Sequence, residues 1–270
     1  MCTVTWLRER GGYTLLCNRD ESLSRKPALA PDVKDHRGIR FIAPEDGDHG
    51  GAWIAVNQFA LSVCLLNRYQ ELGADGTNHT SRGLLLLEMA GCSSGAEVLR
   101  SVCAVDLVRF QPFSLLVLEP DRDALVVDWT GSTCLIRHEG ESAMPLSSSS
   151  HKTASVIEAR RFCFERLTAG RSRLDAATLF RFHASHSPGR SAYSPCMHRE
   201  DARTVSFSWI KATRDTVEFF YHPDSPCTAN PANLSVIEIR RKQSQLAGVS
   251  TLAEVAHQST HQSRASRLER

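Results

Sequence analysis

The sequence predicts an α+β domain in which antiparallel sheets are covered by helices, and three observations carry that reading. The first third alternates apolar and polar residues between glycine-marked turns, as hairpins do. The middle changes to helical spacing behind serine caps. After about residue 204 the alternation returns. Strands, helices, strands, helices and strands in that order suit one compact domain better than a parallel βαβ array.

Each element has its own signal. Thr3 to Leu7 is rich in β-branched and aromatic residues, Gly11-Gly12 marks a turn, and Thr14 to Cys17 forms the return strand. Pro27 to Pro31 reads as a loop and Ile39 to Ala43 as a strand. Gly50-Gly51 introduces Ala52 to Val56, and Asn57-Gln58 turns the chain into Phe59 to Leu66. Thr80 or Ser81 caps a helix to about Ala90, and the capping box Ser94-x-x-Glu97 opens another to about Val105. Phe113 to Leu118, Ala124 to Trp129 and Thr133 to Arg137 are strands. Ser155-x-x-Glu158 opens a helix ending near Gly170, with Val156, Ala159, Cys163 and Leu167 on one face, and Asp175 caps a shorter one to Phe182. Thr204 to Lys211, Thr216 to Tyr221 and Leu234 to Ile239 complete the strands, and no internal repeat is visible. We read residues 1–240 as one domain and the polar residues 241–270 as a mobile tail, with one short helix start at Thr251-x-x-Glu254.

Composition narrows the functional classes. With 41% hydrophobic and 23% charged residues, the 270-residue chain can bury a core and is not a disordered polymer. The 32 basic against 30 acidic residues leave a formal charge of +2, which argues against binding to nucleic acid or to an anionic membrane surface. No apolar run approaches the ~20 residues of a membrane span. Arg8, Glu9 and Arg10 interrupt any secretory h-region. Nine scattered cysteines without a CxxC pair suit a reducing compartment, so the sequence reads as soluble and cytoplasmic. It does not define an oligomeric state. GxGxxG, Walker A and GxSxG motifs are absent, which removes the usual support for dinucleotide, P-loop and α/β-hydrolase chemistry.

The residues that could carry chemistry begin at Met1-Cys2. A small second residue permits removal of the initiator methionine, leaving a cysteine that holds a thiol and its own α-amine as base. Asn18-Arg19-Asp20-Glu21 ends the second strand and lies beside the N-terminus across the Gly11-Gly12 hairpin. There Arg19 would stabilise a thiolate and Asp20 would orient the ammonium. Asn67 ends another strand, either as a donor to an oxyanion or as a plain strand terminator, and spacing does not separate the two. His183, His186, His198 and His222 offer imidazoles, but two ligands on a helix face without a placed third do not make a metal site, so no metal is assigned.

Met1-Cys2-Thr3, Asn18-Arg19-Asp20-Glu21, Arg25-x-Pro27, Gly50-Gly51-x-Trp53, Asn67 and Ser81-Arg82-Gly83, in that order, resemble the NRDE family, also called the Transport and Golgi organisation 2 family. The segment Cys196-Met197-His198-Arg199-x-Asp201-Ala202-x-Thr204-Val205-Ser206 resembles its bacterial branch, and the resemblance spans about residues 1–240. It implies kinship with N-terminal nucleophile hydrolases of the penicillin V acylase and bile-salt hydrolase type. The implied fold is an αββα sandwich, two antiparallel sheets between helical layers. By the same resemblance Cys2 is the nucleophile, Arg19 and Asp20 flank it, Asn67 serves the oxyanion, and Arg203 stands for a late arginine that holds the nucleophile. Trp53 would line a pocket. Where the acylases carry a second Asn, this chain has Ser147 to Ser150, whose hydroxyls could replace one donor.

Two functions follow as expectations. One is hydrolysis of a small-molecule amide at its C–N bond through Cys2, needing no cofactor. The other is binding and trafficking of haem or a lipid metabolite on the same fold, with Cys2, His198 or His222 as an iron ligand.

Overall fold

The computed structural model describes residues 2–69 and 79–243; Met1, the Thr251-x-x-Glu254 helix start and most of the expected tail lie outside them. The first elements are β1 (Cys2–Glu9), β2 (Gly12–Ser22), β3 (Leu29–His36), β4 (Ile39–Glu45), β5 (Ile54–Asn57) and β6 (Ser62–Asn67). Helices α1 (Arg82–Ala90) and α2 (Gly95–Ala104) precede β7 (Phe113–Leu118), β8 (Ala124–Trp129), β9 (Cys134–Glu139) and the short β10 (Leu146–Ser147). Helices α3 (Thr153–Thr168) and α4 (Ala176–His183) lead to β11 (Ala202–Ala212), β12 (Thr216–His222) and β13 (Ser235–Arg240).

The strands form two antiparallel sheets. One is ordered β10-β1-β2-β11-β12-β13, the other runs from β3 to β9 in chain order. Helices α3 and α4 cover the first sheet, and α1 covers β5 and β6 of the second with α2 beside it. This is the αββα sandwich. Between the sheets pack Trp6, Leu15, Ile54, Val56, Leu116 and Val126, all buried. Beneath α1 and α2, Leu86, Met89, Val98 and Val102 meet Val63 and Leu115. β1 and β2 are buried on both faces along most of their length, which explains why their sequences read as apolar runs as much as alternations.

Several local expectations hold and others are corrected. The Ser94 hydroxyl accepts the Glu97 N–H, and the Glu97 carboxylate accepts from Ser93 rather than from Ser94, so the box closes one residue early. The Asp175 carboxylate caps α4 through the Thr178 N–H at 2.7 Å. The Pro27–Pro31 loop is shorter than expected, because β3 begins at Leu29 as an edge strand with a register shift between Leu29 and Asp32. An edge tolerates Pro31, which has no N–H to donate. Phe59 to Ala60 is turn rather than strand, with Ala60 at φ 58°. The Asn57 side chain builds that turn, its oxygen accepting from Phe59 and Leu61 while its amide donates to the Ala90 and Cys92 carbonyls. Ser155 lies inside α3, which starts two residues earlier after Lys152 at φ 41°. Past β13, Arg241 donates to the Gly11 and Thr213 carbonyls, so the chain stays docked there before the described residues end.

Candidate active site

β1 and β2 pair so that Cys2 lies opposite Arg19. Because side chains alternate along a strand, the tetrad at the end of β2 splits between two environments. Arg19 and Glu21 line a cavity of about 330 Å³ together with Cys2, Trp53, Asn67 and Arg82. Asn18 and Asp20 turn to the opposite face, toward α3 and α4. The sequence reading placed all four around the N-terminus; two of them do other work.

On the cavity side, the Arg19 guanidinium lies 4.4 Å from the Trp53 ring centroid and 2.6 Å from an Asp46 oxygen. Arg25 holds the second Asp46 oxygen at 2.6 Å and Asp48 at 2.9 Å. Asp46 also accepts the His49 N–H at 3.0 Å and donates its own N–H to the Gly51 carbonyl, so the loop before β5 is folded around this carboxylate. Gly51 then packs directly on Gly83: a Cβ on Gly51 would sit 2.6 Å from the Gly83 carbonyl carbon. The Ala52 N–H donates to the Gly83 carbonyl at 3.1 Å. The two glycine-containing motifs thus make one contact, and Trp53 and Arg82 flank it as cavity wall. Asn67 ends β6 and its amide donates to the Tyr69 hydroxyl at 3.1 Å.

The nucleophile candidate itself is buried, at 5% exposure. A hydrogen bond with the Cys17 thiol, then burial, holds the Cys2 thiol well above the ordinary thiol range, and the negative charge of Asp20 acts in the same direction. Cys17 in turn lies 3.8 Å from Cys64, sulfur to sulfur. The Cys2 N–H donates to the Ser148 hydroxyl at 3.0 Å, and the Ser148 N–H donates to the Cys2 carbonyl at 2.9 Å. Ser148, from the Ser147 to Ser150 run, therefore holds the backbone of Cys2 on both sides.

On the other face, Asp20 and Arg160 form a fully buried ion pair at 2.9 Å, and the Thr204 hydroxyl donates to Asp20 at 2.6 Å. Arg160 also donates to the Thr3 hydroxyl at 2.5 Å and the Ala192 carbonyl at 3.1 Å. Asn18 donates to the His183 and Pro195 carbonyls. Its oxygen accepts from His183 Nδ1, which leaves Nε2 of that ring to accept the Thr5 hydroxyl. Burial pushes the His183 pKa down to about 3, so this imidazole is neutral. These contacts clamp β1 and β2 to α3 and α4 and fix the strand ends that meet at Cys2.

The remaining candidates sit elsewhere. Arg203 is half exposed and pairs with Asp224, and neither it nor His198 lines the cavity. The arginine that reaches Asp20 is Arg160, which shares the buried face of α3 with Val156 and Cys163. His222 bonds the Thr228 hydroxyl. Of the three expected iron ligands, Cys2 lines this cavity, while His198 and His222 lie outside it. Arg160 and Asp46 escaped the sequence reading. The signal available for Arg160 was a charged residue on the apolar side of α3.

The architecture is that of the N-terminal nucleophile hydrolases, and solved structures bear this out. A mutant of the conjugated bile acid hydrolase from Clostridium perfringens superposes with a TM-score of 0.54 at 12% identity, covering 93% of this chain and 100% of that one. The N-acylethanolamine-hydrolyzing acid amidase ortholog of Caenorhabditis elegans gives 0.54 at 10% identity, over 78% and 92%. Penicillin V acylase from Agrobacterium tumefaciens gives 0.51 at 10%, over 89% and 86%. Residues 1–189 match the Transport and Golgi organisation 2 family, and the chain belongs to it. A search of the curated proteins finds no match. No helix among the described residues is long and apolar enough to cross a membrane.

Proposed function

We propose that the protein is an N-terminal cysteine amidohydrolase that cleaves the C–N bond of a small polar amide. The observation that supports it most is the placement of Cys2 at the start of β1, facing the cavity beside Arg19, with its backbone held by Ser148. With Met1 removed, the freed α-amine takes the place of the amide nitrogen that now bonds Ser148. The raised thiol pKa means that Cys2 is protonated at neutral pH, so attack requires a base. The α-amine of the same residue is that base.

Sγ attacks the amide carbonyl and passes its proton through the α-amine to the leaving nitrogen. The C–N bond breaks, an amine departs, and a thioester remains on Cys2. Water then adds to the thioester carbonyl, and a carboxylic acid leaves as Sγ regains its proton. The Asn67 amide, swung from Tyr69, is the candidate donor to the tetrahedral oxyanion, a role typically worth about 3–4 kcal/mol. Three arginines and two carboxylates on the wall, Arg19, Arg25 and Arg82 with Glu21 and Asp46, suit a substrate with polar or charged ends better than a long alkyl chain.

The test is a screen of N-acyl amides against Met1-free protein, read as released amine. Activity that disappears in Cys2→Ala supports the reading. Activity retained by Cys2→Ala refutes it.

A further inference from the structure

Away from the cavity, a second group of reactive side chains converges. His186 lies in the loop after α4, Cys196 and His198 in the segment before β11, and Cys227 in a single 3-10 turn after β12. One ligand atom from each lies within 4.8 Å of all the others. Nε2 of His198 is 3.2 Å from Nε2 of His186, 3.4 Å from the Cys196 sulfur and 3.6 Å from the Cys227 sulfur.

Those spacings are the edges of a small tetrahedron. A zinc ion with Zn–N near 2.0 Å and Zn–S near 2.3 Å sets edges of about 3.3 Å between two nitrogens and about 3.5 Å between nitrogen and sulfur. The three observed separations lie close to those values. The donor set of two thiols and two imidazoles is that of tetrahedral zinc, and the absence of carboxylates disfavours magnesium or calcium. The local chain explains how they meet. Cys196 and His198 are two apart in sequence and bring their ligand atoms to 3.4 Å. The Cys196 N–H donates to the Ser185 carbonyl at 3.0 Å, which brings the His186 loop alongside.

We propose that His186, Cys196, His198 and Cys227 bind one zinc ion that staples three chain segments together. Binding releases the two thiol protons, leaving two thiolates and two neutral imidazoles on the cation and a site of no net charge. Four protein ligands close the coordination sphere, so the role is structural. The staple bears on the clamp behind Cys2. The Pro195 carbonyl accepts from Asn18, and the Met197 N–H donates to the Thr204 hydroxyl that holds Asp20. Ligands and clamp alternate along residues 195–198.

The experiment uses the full-length, untagged protein purified without chelator. Elemental analysis should find about one zinc per chain. Replacement by cobalt(II) should give the visible bands of a tetrahedral ion and a thiolate charge-transfer band. Cys227→Ser and the milder His186→Ala should lose most of the metal, whereas Cys103→Ser, on the exposed face of α2, should keep it. Chelation should lower the melting temperature of the wild type but not of Cys227→Ser, and added zinc should restore it. Metal-free protein that gives no charge-transfer band with cobalt overturns the proposal. So does equal metal content in Cys227→Ser and wild type.

Discussion

Replacing Arg160 by Met tests the clamp behind Cys2, because it removes the guanidinium 2.9 Å from Asp20 while keeping the bulk of the side chain. Both partners are fully buried, 2.9 Å apart. The substitution deletes that pair and the bonds to Thr3 and Ala192, and leaves the Asp20 carboxylate with Thr204 as its named remaining donor. Breaking a buried pair from one side typically costs about 3–5 kcal/mol, chiefly through the charge left behind. Against a typical domain stability of about 5–15 kcal/mol, that is a large fraction. Urea unfolding followed by circular dichroism should show a loss near 4 kcal/mol for Arg160→Met. The double variant Arg160→Met with Asp20→Asn should recover part of it, since the buried carboxylate charge is then gone as well. A single-variant loss below about 1 kcal/mol would refute the reasoning, as would a double variant less stable than the sum of the two singles.

Other outcomes follow from the same geometry. Because the His183 pKa falls to about 3 in the fold against an unfolded value near 6.5, the unfolded chain binds the extra proton between those values. Stability should therefore be fully present above pH 6.5 and fall, on the order of 4–5 kcal/mol, as pH drops toward 3. His183→Gln should flatten that part of the unfolding profile, and an unchanged slope would contradict it. The raised Cys2 thiol should react slowly with iodoacetamide at neutral pH and faster as pH rises past the ordinary thiol range, read by mass mapping of the N-terminal peptide. Reaction of Cys2 at neutral pH as fast as a free thiol would count against the assignment. In Gly51→Ala, a Cβ 2.6 Å from the Gly83 backbone must move the cavity wall. We expect about 1–3 kcal/mol of destabilisation by thermal melting, with turnover reduced more than stability alone explains.

The hairpins of the fold were legible because they leave local marks. Gly11-Gly12 and the alternation of β1 and β2 predicted the pairing that sets Cys2 opposite Arg19. What was not legible depended on contacts distant in sequence. Parity along β2 assigns Arg19 and Asp20 to opposite faces, yet nothing local says that Arg160, 140 positions later, lies above Asp20. The Gly51–Gly83 contact joins two motifs that the sequence displayed separately. The histidines show the same limit. Helical spacing grouped His183 with His186, but α4 ends at His183, which turns inward to Asn18 while His186 leaves the helix to join Cys196, His198 and Cys227. Edge strand β3 was missed because two prolines resemble a loop until a sheet edge gives them a place.

The central claim is that Cys2, once freed of Met1, carries the acyl group. The direct measurement is the intact and peptide mass of Met1-free protein quenched in acid during turnover of an N-acyl amide. The account predicts an added acyl mass confined to the N-terminal peptide and absent from Cys2→Ala. Turnover with no adduct on that peptide, at equal rate in Cys2→Ala, would contradict it.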